Sequence, residues 1–348
     1  MNDNKTSKNS IVAKFAVPIS FLILFFLAAN FTDCDLVTFW KRRSHLTDLV
    51  VDMIPPDFSY IQKILLPLFY TIQMSVTGTV LGIFFALVLS PFGAANLGFP
   101  AVIRRILRIV IQILRSFPAL ILALTATFLF GLGTFAGTFA ITLYTFAIMT
   151  KLTYEDASAA DVKAYQALRA MGVSKYVAYI HGILPEIIPG FLTNALYLLE
   201  TNVRHSSILG YVGAGGIGLL LNEKISWLEY DKVGTILLML FLTVCVIEYF
   251  SRYLAALIRK ERTIKKEQAR LLLLFLAALF LICTFTLSLP DFSRTSPQTL
   301  RNMFAGFLQP DWSFFFSAEK DGLGYLLLET VCIAFIGTVI GAIVSAPL

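Results

Sequence analysis

The most informative part of the sequence is Tyr165-Gln166-Ala167-Leu168-Arg169-Ala170-Met171-Gly172, followed shortly by Ile183-Leu184-Pro185. It belongs to a polar, helix-favouring segment, 151–186, in a chain that otherwise consists of long apolar runs. A helix of about ten residues is unstable alone in water, so this segment needs a surface to pack on. The sequence leaves two such surfaces possible: the rest of this chain, or another protein outside the membrane.

The composition is that of a membrane protein. The chain is 57% hydrophobic and 14% charged, with a mean hydropathy of +0.77, whereas soluble domains carry about 25% charged residues. Lys and Arg are scattered among the loops, which disfavours nucleic acid as a partner and leaves the lipid membrane. The four cysteines form no CxxC pair, so the sequence predicts no metal site.

Eight apolar runs approach the length of about 20 residues that a crossing requires. The third and fourth runs lie so close together, around Gly131, Gly133 and Gly137, that they allow either a helical hairpin or one broken helix. The first run is too long for a signal-peptide core of about 7–15 residues and is interpreted as a retained anchor. The sequence therefore predicts an all-α, polytopic membrane protein. The runs are roughly 11–31, 64–90, 114–133, 135–150, 187–210, 234–257, 271–289 and 324–347.

The basic residues predict an orientation. Clusters within 5–14, 104–108 and 259–266 fall on one side of the eight runs, together with the segment 151–186. Because cytoplasmic loops carry the excess of Lys and Arg, we expect this side and the amino terminus to be cytoplasmic, in the cell membrane. The cluster 41–43 is an exception on the outer side.

The chain partly repeats itself. TIQMSVTGTVLG at 71–82 resembles TVCIAFIGTVIG at 330–341, and Pro-Asp-aromatic-Ser occurs at both 56–59 and 310–313. Both copies keep the same predicted orientation, as in a parallel repeat; the alternative is chance similarity of apolar segments. We divide the chain into an anchor with an outer loop (1–60), a core (61–258) and the start of a second, incomplete copy (259–348). On this division the chain is either a fragment of a longer tandem protein or carries a relic tail.

The segment 151–186 is predicted to fold as helix, tight turn, helix. Asp161 is placed to cap a helix through Met171, and Gly172 suits the left-handed position that ends it. Ser174 is placed to cap a second helix, which Pro185 helps to end.

This segment resembles the "EAA loop" of ABC importer permeases, with Gln166 where the family has an acidic residue. The stretch 200–218 looks like the corresponding run of phosphonate transporter permeases. The resemblance implies a type I ABC importer helix bundle that carries phosphonates or related oxyanions. It also implies partners: ABC ATPase subunits that use ATP and Mg, an extracytoplasmic binding protein, and a second permease unit, either a homodimer partner or a tandem half. No cofactor bound to this chain itself is expected. The implied ATPase-coupling residues are Gln166, Ala167, Leu168, Gly172, Leu184 and Pro185.

Polar residues in the fifth run are candidates for the translocation path, because polar groups within a span tend to mark a pathway or an internal pair. Arg204 suits an oxyanion, since its forked donors bind two oxygens at once. The alternative is that Glu200 and Arg204, four residues apart, only pair with each other. The glycines after this run suggest a re-entrant turn or close packing at an external gate, or else a plain flexible loop. The candidates are Asn194, Glu200, Asn202, Arg204, Ser206, Ser207, Gly213, Gly215 and Gly216.

Two other classes of protein remain as alternatives. A polytopic membrane enzyme is disfavoured, because the chain contains no HExxH, no GxSxG and no phosphate-binding loop with Lys. We therefore expect no catalytic residue and no ATPase site in this chain. An ion-coupled carrier would not need the cytoplasmic helix–turn–helix. Loss of uptake after replacement of Gly172, in a protein that is still inserted and folded, would therefore favour an ATPase-driven importer over a carrier.

Overall fold

The described part of the chain is helical and contains no β-strand, which confirms the predicted all-α class. The computed structural model describes residues 20–33, 36–259, 266–288, 301–302, 305–306, 309, 312–317 and 322–346. The helices are α1 Ser20–Phe31, α2 Leu36–Lys41, α3 Arg43–Asp52, α4 Ile61–Gly93, α5 Ala101–Ser116, α6 Ala119–Phe130, α7 Thr134–Ala159, α8 Lys163–Ala170, α9 Lys175–Gly182, α10 Leu184–Leu209, α11 Ile217–Ser226, α12 Tyr230–Ile258, α13 Lys266–Phe285, α14 Trp312–Phe315 and α15 Leu323–Ser345.

Four of these helices, α4, α7, α12 and α15, are long and apolar enough to cross a membrane. Two bent pairs, α5 with α6 and α9 with α10, bring the described residues to six such spans if each pair is counted once. The shorter apolar helices α1 and Leu274–Phe285 lie in the remaining two predicted runs. Residues 11–19 of the first run lie outside the described residues.

The predicted third run, 114–133, is not a single helix. α5 and α6 meet at 94° on either side of Phe117 and Pro118. Proline has no backbone N–H and disfavours a helical conformation at the residue before it, and Phe117 is accordingly extended. The prediction failed because apolar residues continue through this break. α6 and α7 pack on each other beyond the turn 131–133, so the hairpin alternative is the one observed.

The chain divides into two compact units, Met1–Val50 with Asn302–Leu348, and Val51–Arg301. The three-part division made from the sequence stays a prediction. In Val51–Arg301, α4 and α7 form the centre. They approach closely because Gly78 and Gly82 of α4 face α7, where an added Cβ would lie only 2.7 Å from Ile141 and Thr145.

The two helices that the sequence predicts as repeats, α4 and α15, each contact another helix through the same matched position. In Val51–Arg301, Gln73 of α4 donates hydrogen bonds to the carbonyl oxygen of Cys283 (3.0 Å) and to the hydroxyl of Thr286 (2.8 Å). Cys332 is the residue of α15 that matches Gln73 in the repeat. Within the other unit it lines an apolar groove of about 450 Å³ together with α1. At this position α4 and α15 each face an apolar helix of their own unit, while the repeat itself stays a prediction.

Candidate functional site

The segment after α7 folds as two short helices, α8 and α9, joined by a tight turn, as the sequence predicts. The side chain of Asp161 accepts a hydrogen bond from the backbone N–H of Lys163 (2.9 Å). The hydroxyl of Ser174 accepts one from the backbone N–H of Val177 (3.4 Å). Gly172 lies between the helices with φ +86°. Capping and a left-handed turn residue thus fix both helices locally.

The Asp161 cap depends on the charge of its carboxylate. The backbone N–H of Lys163, and then its ammonium group, hold the pKa of Asp161 below its usual value. A carboxyl group with a lowered pKa in the folded state stabilises that state above the ordinary pKa. The stabilisation is lost as the pH falls through the lowered pKa, and it is fully present at neutral pH.

Two tyrosines attach this helix pair to the rest of the bundle. The hydroxyl of Tyr165 in α8 donates a hydrogen bond to the carbonyl oxygen of Leu97 (2.6 Å). Tyr165 and Tyr179 are buried in one cluster with Leu97 and with Tyr154 at the end of α7. The sequence reading missed these anchors, because tyrosines within a polar segment did not stand out among the residues of the motif. They give a rigid link between α7 and the helix pair.

The opposite side of the helix pair points away from the protein. Met171 is 70% exposed, and Ala164 and Ala167, which share its side of α8 at helical spacing, are exposed as well. These residues form the apolar face of α8. This face has little packing within the protein. The sequence left two partners possible, the rest of this chain or another protein, and the structure leaves this face available to another protein. Of the six implied coupling residues, Leu168 and Leu184 are half-buried, and the exposed ones are Gln166, Ala167, Gly172 and Pro185.

A buried polar core joins α4, α7 and α10. The amide nitrogen of Asn202 donates hydrogen bonds to the hydroxyls of Thr79 and Thr145, each at 2.8 Å. The hydroxyl of Ser206 lies 3.0 Å from that of Ser75. All five side chains are nearly inaccessible to solvent. The sequence reading found Asn202 and Ser206 but missed the partners on α4 and α7, because hydroxyl residues are common in helices and their pairing depends on helix packing.

The amide oxygen of Asn202 is buried and has no hydrogen-bond partner among the described residues. Two other candidates on α10 are less closely tied to this core. Ser207 donates to the carbonyl oxygen of Arg204 in its own helix (2.6 Å), and Asn194 is half-buried. The polar core therefore consists of Asn202, Ser206 and their partners, and it braces three helices.

The charged candidates lie on the side of α10 that faces α12. Arg204 pairs with Glu200 one turn earlier, and its guanidinium also lies 3.8 Å from the carboxylate of Glu248 on α12. Glu248 pairs in turn with Arg252. The sequence reading missed Glu248 and Arg252, since nothing in the spacing of α12 showed that it faces α10. The predicted polar set is thus divided between a buried core and a partly exposed charge cluster.

The glycine-rich stretch after α10 is a tightly packed turn. Gly213, Gly215 and Gly216 all have positive φ, from +72° to +82°. A Cβ added to Gly216 would lie 2.6 Å from the hydroxyl of Thr71. That hydroxyl also accepts a hydrogen bond from the backbone N–H of Ile217 (2.8 Å). Only glycine suits such a conformation at so close an approach, so this stretch is not a loose loop in this structure.

A buried lysine lies near the turn between α11 and α12. The ammonium of Lys224 is 3.0 Å from the carboxylates of both Glu223 and Glu229, and 4.1 Å from the ring centre of Trp227. Burial alone would lower the pKa of Lys224, but the carboxylates of Glu229 and Glu223 outweigh it and raise the pKa above its usual value. The lysine therefore stays charged and fixes this turn, at the opposite end of α10 from α8 and α9.

Comparison with known proteins places the chain in a family. Residues 78–264 match the family model described as the binding-protein-dependent transport system inner membrane component. This match covers more than half of the chain. The chain belongs to this family. As a binding-protein-dependent transport permease, it is a membrane subunit of an ABC importer and a multi-pass protein of the plasma membrane.

Similar permeases are named for phosphorus oxyanions. The phosphite transport system permease protein PtxC of Stutzerimonas stutzeri is 31% identical over 217 residues, which are 62% of this chain and 79% of PtxC. The putative phosphite transport permease HtxC of the same organism is 31% identical over 242 residues, 69% of this chain and 86% of HtxC. The phosphate-import permease PhnE of Mycolicibacterium smegmatis is 32% identical over 203 residues, which are 58% of this chain and 38% of PhnE.

The fold agrees with this assignment. An inward-facing structure of the MetNI methionine ABC transporter matches 58% of this chain and 99% of its own chain, with a TM-score of 0.51 and 20% sequence identity. At that identity the likeness concerns the fold alone. Permeases of this family are normally non-catalytic components of their transporters.

Proposed function

We propose that this permease imports phosphite, phosphonates or related phosphorus oxyanions, driven by ATP hydrolysis in partner subunits. The observation that carries the coupling half of this proposal is the exposed apolar face of α8, on a helix pair held rigidly against α7 by Tyr165 and Tyr179. A rigid tip with an exposed face can transmit the movement of a partner as a rigid-body displacement.

The ATPase subunits would bind this tip, with Gln166, Ala167, Leu168, Met171 and Gly172 nearest to them. Leu184 and Pro185 would fix the start of α10 behind it. ATP and Mg would be held by these partners. The end of the bundle that carries α8 and α9 then faces the cytoplasm, as does the amino terminus. An extracytoplasmic binding protein would deliver the cargo at the end that carries the turn around Lys224.

A second permease unit would complete the translocation path, supplied by another copy of this chain or by a tandem half. The candidates for the path and its outer gate are those of the fifth run. The polar core around Asn202 and Ser206 supplies neutral hydrogen-bond donors, and Arg204 supplies a cation that is 47% exposed. Asn194, Glu200 and Ser207 lie on the same helix, and Gly213, Gly215 and Gly216 form the turn beyond its outer end. The names of the similar permeases support an oxyanion as cargo.

Uptake assays test the proposed cargo. Cells that carry the complete transporter should accumulate labelled phosphite or methylphosphonate in competition with an excess of the unlabelled compound. Deleting this permease should abolish that uptake, and restoring it on a plasmid should recover it. Uptake of labelled methionine, assayed in parallel, is the control for cargo class. The assignment would be overturned if deletion of the permease abolished methionine uptake and left the uptake of phosphite and methylphosphonate unchanged.

A further inference from the structure

Helix α5 is strongly two-sided. It carries four arginines and no acidic residue. At 100° per residue, its arginines and Gln112 fall within one arc, and apart from Ser116 the remaining surface is formed by aliphatic side chains. Six of these aliphatic residues are exposed rather than packed: Val102, Ile103, Ile106, Ile109, Val110 and Ile113. A basic amphipathic helix of this kind suits the boundary between lipid headgroups and acyl chains.

The position of α5 in the fold agrees with such a boundary. The helix runs at 94° to α6, which packs along the outer half of α7. The guanidinium of Arg108 lies 5.0 Å from the ring centre of Tyr154, near the inner end of α7, and donates a hydrogen bond to the carbonyl oxygen of Gly93 (3.0 Å). The ammonium of Lys175 in α9 binds the carbonyl oxygen of Gly98, just before α5. α5 therefore crosses the bundle at the end where α8 and α9 lie.

A cavity of about 480 Å³ with charged side chains in its lining opens between α5 and α7. Two cationic side chains line it, Arg108 from α5 and Lys151 from α7, and one carboxylate, Glu155, lies 3.4 Å from Lys151. Gln112 and Ser158 add neutral hydrogen-bonding groups to the lining. The lining thus carries a net positive charge. A guanidinium and an ammonium on facing helices can together bind the oxygens of one phosphate group.

We propose that this cavity binds the phosphate of an anionic phospholipid headgroup, while the aliphatic side of α5 packs among its acyl chains. A phosphate ion in solution would use the charged lining alone. The exposed aliphatic arc beside the cavity matches an amphiphile, and this continuity assigns the site to a lipid. The site is independent of the transported cargo. It lies beside the helix pair that meets the ATPase, so a bound lipid would hold α5 next to the moving part.

The test is lipid retention. The full-length permease is purified from membranes containing phosphatidylglycerol and phosphatidylcholine, and the retained lipids are measured by native mass spectrometry across a delipidation series. Each basic residue near an anionic surface contributes about fivefold to binding. The double variant Arg108→Gln/Lys151→Gln should therefore retain phosphatidylglycerol about 25-fold more weakly, with phosphatidylcholine unchanged. The variant Arg108→Lys/Lys151→Arg keeps both charges and should stay within about threefold of the wild type.

Arg252→Gln is the matched control. Its side chain is 77% exposed and paired with Glu248, as Lys151 is with Glu155, but it lies on α12 and does not line the cavity. Lipid retention should therefore change by less than about twofold. If the double variant fails to fold, the single variant Lys151→Gln, which changes a half-buried lysine of the cavity lining, should still weaken retention about fivefold.

Three results would overturn the proposal. One is an equal loss of phosphatidylglycerol in Arg252→Gln. Another is displacement of the lipid by millimolar inorganic phosphate, which would assign the cavity to a soluble oxyanion. A third is a shift from dimer to monomer in the same spectra with lipid retention unchanged, which would make the arginine face of α5 a contact between copies.

Discussion

At the residue scale, Asn202 is the side chain on which the helix packing depends most clearly. It is fully buried and ties α10 to α4 and α7 by two hydrogen bonds. Interhelical hydrogen bonds in membranes contribute about 0.6 kcal/mol on average and up to about 1.7 kcal/mol. Asn202→Ala should therefore lower the free energy of unfolding by about 1–2 kcal/mol. Unfolding in detergent, monitored by circular dichroism, measures the change.

Asn194→Ala is the control on the same helix, because Asn194 is only half-buried and its side chain has no hydrogen bond among the described residues. Its effect should stay below about 0.5 kcal/mol. Equal destabilisation by both substitutions would show that the Asn202 bonds contribute nothing specific.

The role of Arg204 is decided by a double-mutant cycle with Glu200. Because the two residues pair, Glu200→Gln/Arg204→Gln should recover most of the stability lost in the single variants, with a coupling of about 0.3–1 kcal/mol. Uptake is measured separately from stability. The double variant should still lose most oxyanion uptake, because the proposed path needs the guanidinium. Uptake in the double variant at the wild-type rate would remove Arg204 from the path and leave a purely structural pair.

At the element scale, the tip formed by α8 and α9 is expected to be the docking element. Met171→Arg places a charge on a side chain that is 70% exposed, so the permease should remain folded. Binding of the ATPase should weaken about 30-fold or more, as expected when a central contact of an interface is lost. Surface plasmon resonance on the purified permease measures it.

Leu228→Arg is the matched control, because Leu228 is 68% exposed and lies in the turn between α11 and α12, apart from α8 and α9. It should leave ATPase affinity unchanged. A similar loss in both variants would show a general effect of the added charge rather than a docking surface at α8.

The glycine-rich turn after α10 gives a second prediction at this scale. Gly216→Ala should destabilise the permease by about 2 kcal/mol or more, because φ is +72° and the new Cβ would lie 2.6 Å from the Thr71 hydroxyl. Gly190→Ala in α10 has open space around the new Cβ and should stabilise by up to about 1 kcal/mol. Comparing the two melting temperatures tests the tight packing of this turn, which a flexible loop would not show.

At the scale of the whole molecule, the sequence was informative wherever one local rule acts alone. Apolar runs located the helices, and Asp161, Gly172 and Ser174 located the helix–turn–helix, because capping and left-handed turns are local. The bend at Pro118 was missed because its neighbours are as apolar as a span. The partners of Asn202 and Arg204 were missed because they depend on which faces of α4, α7, α10 and α12 meet. Packing of that kind cannot be read from one sequence.

Purification of the tagged permease from its native membranes, as wild type and as Met171→Arg, shows whether an ATPase subunit binds through α8 and α9. Mass spectrometry then identifies the proteins that remain bound. The wild type should retain an ATPase subunit with a Walker A sequence, and Met171→Arg should lose it while remaining folded. A wild-type preparation without any ATPase, under detergent conditions that preserve other ABC complexes, would contradict an ATP-driven importer coupled through α8 and α9.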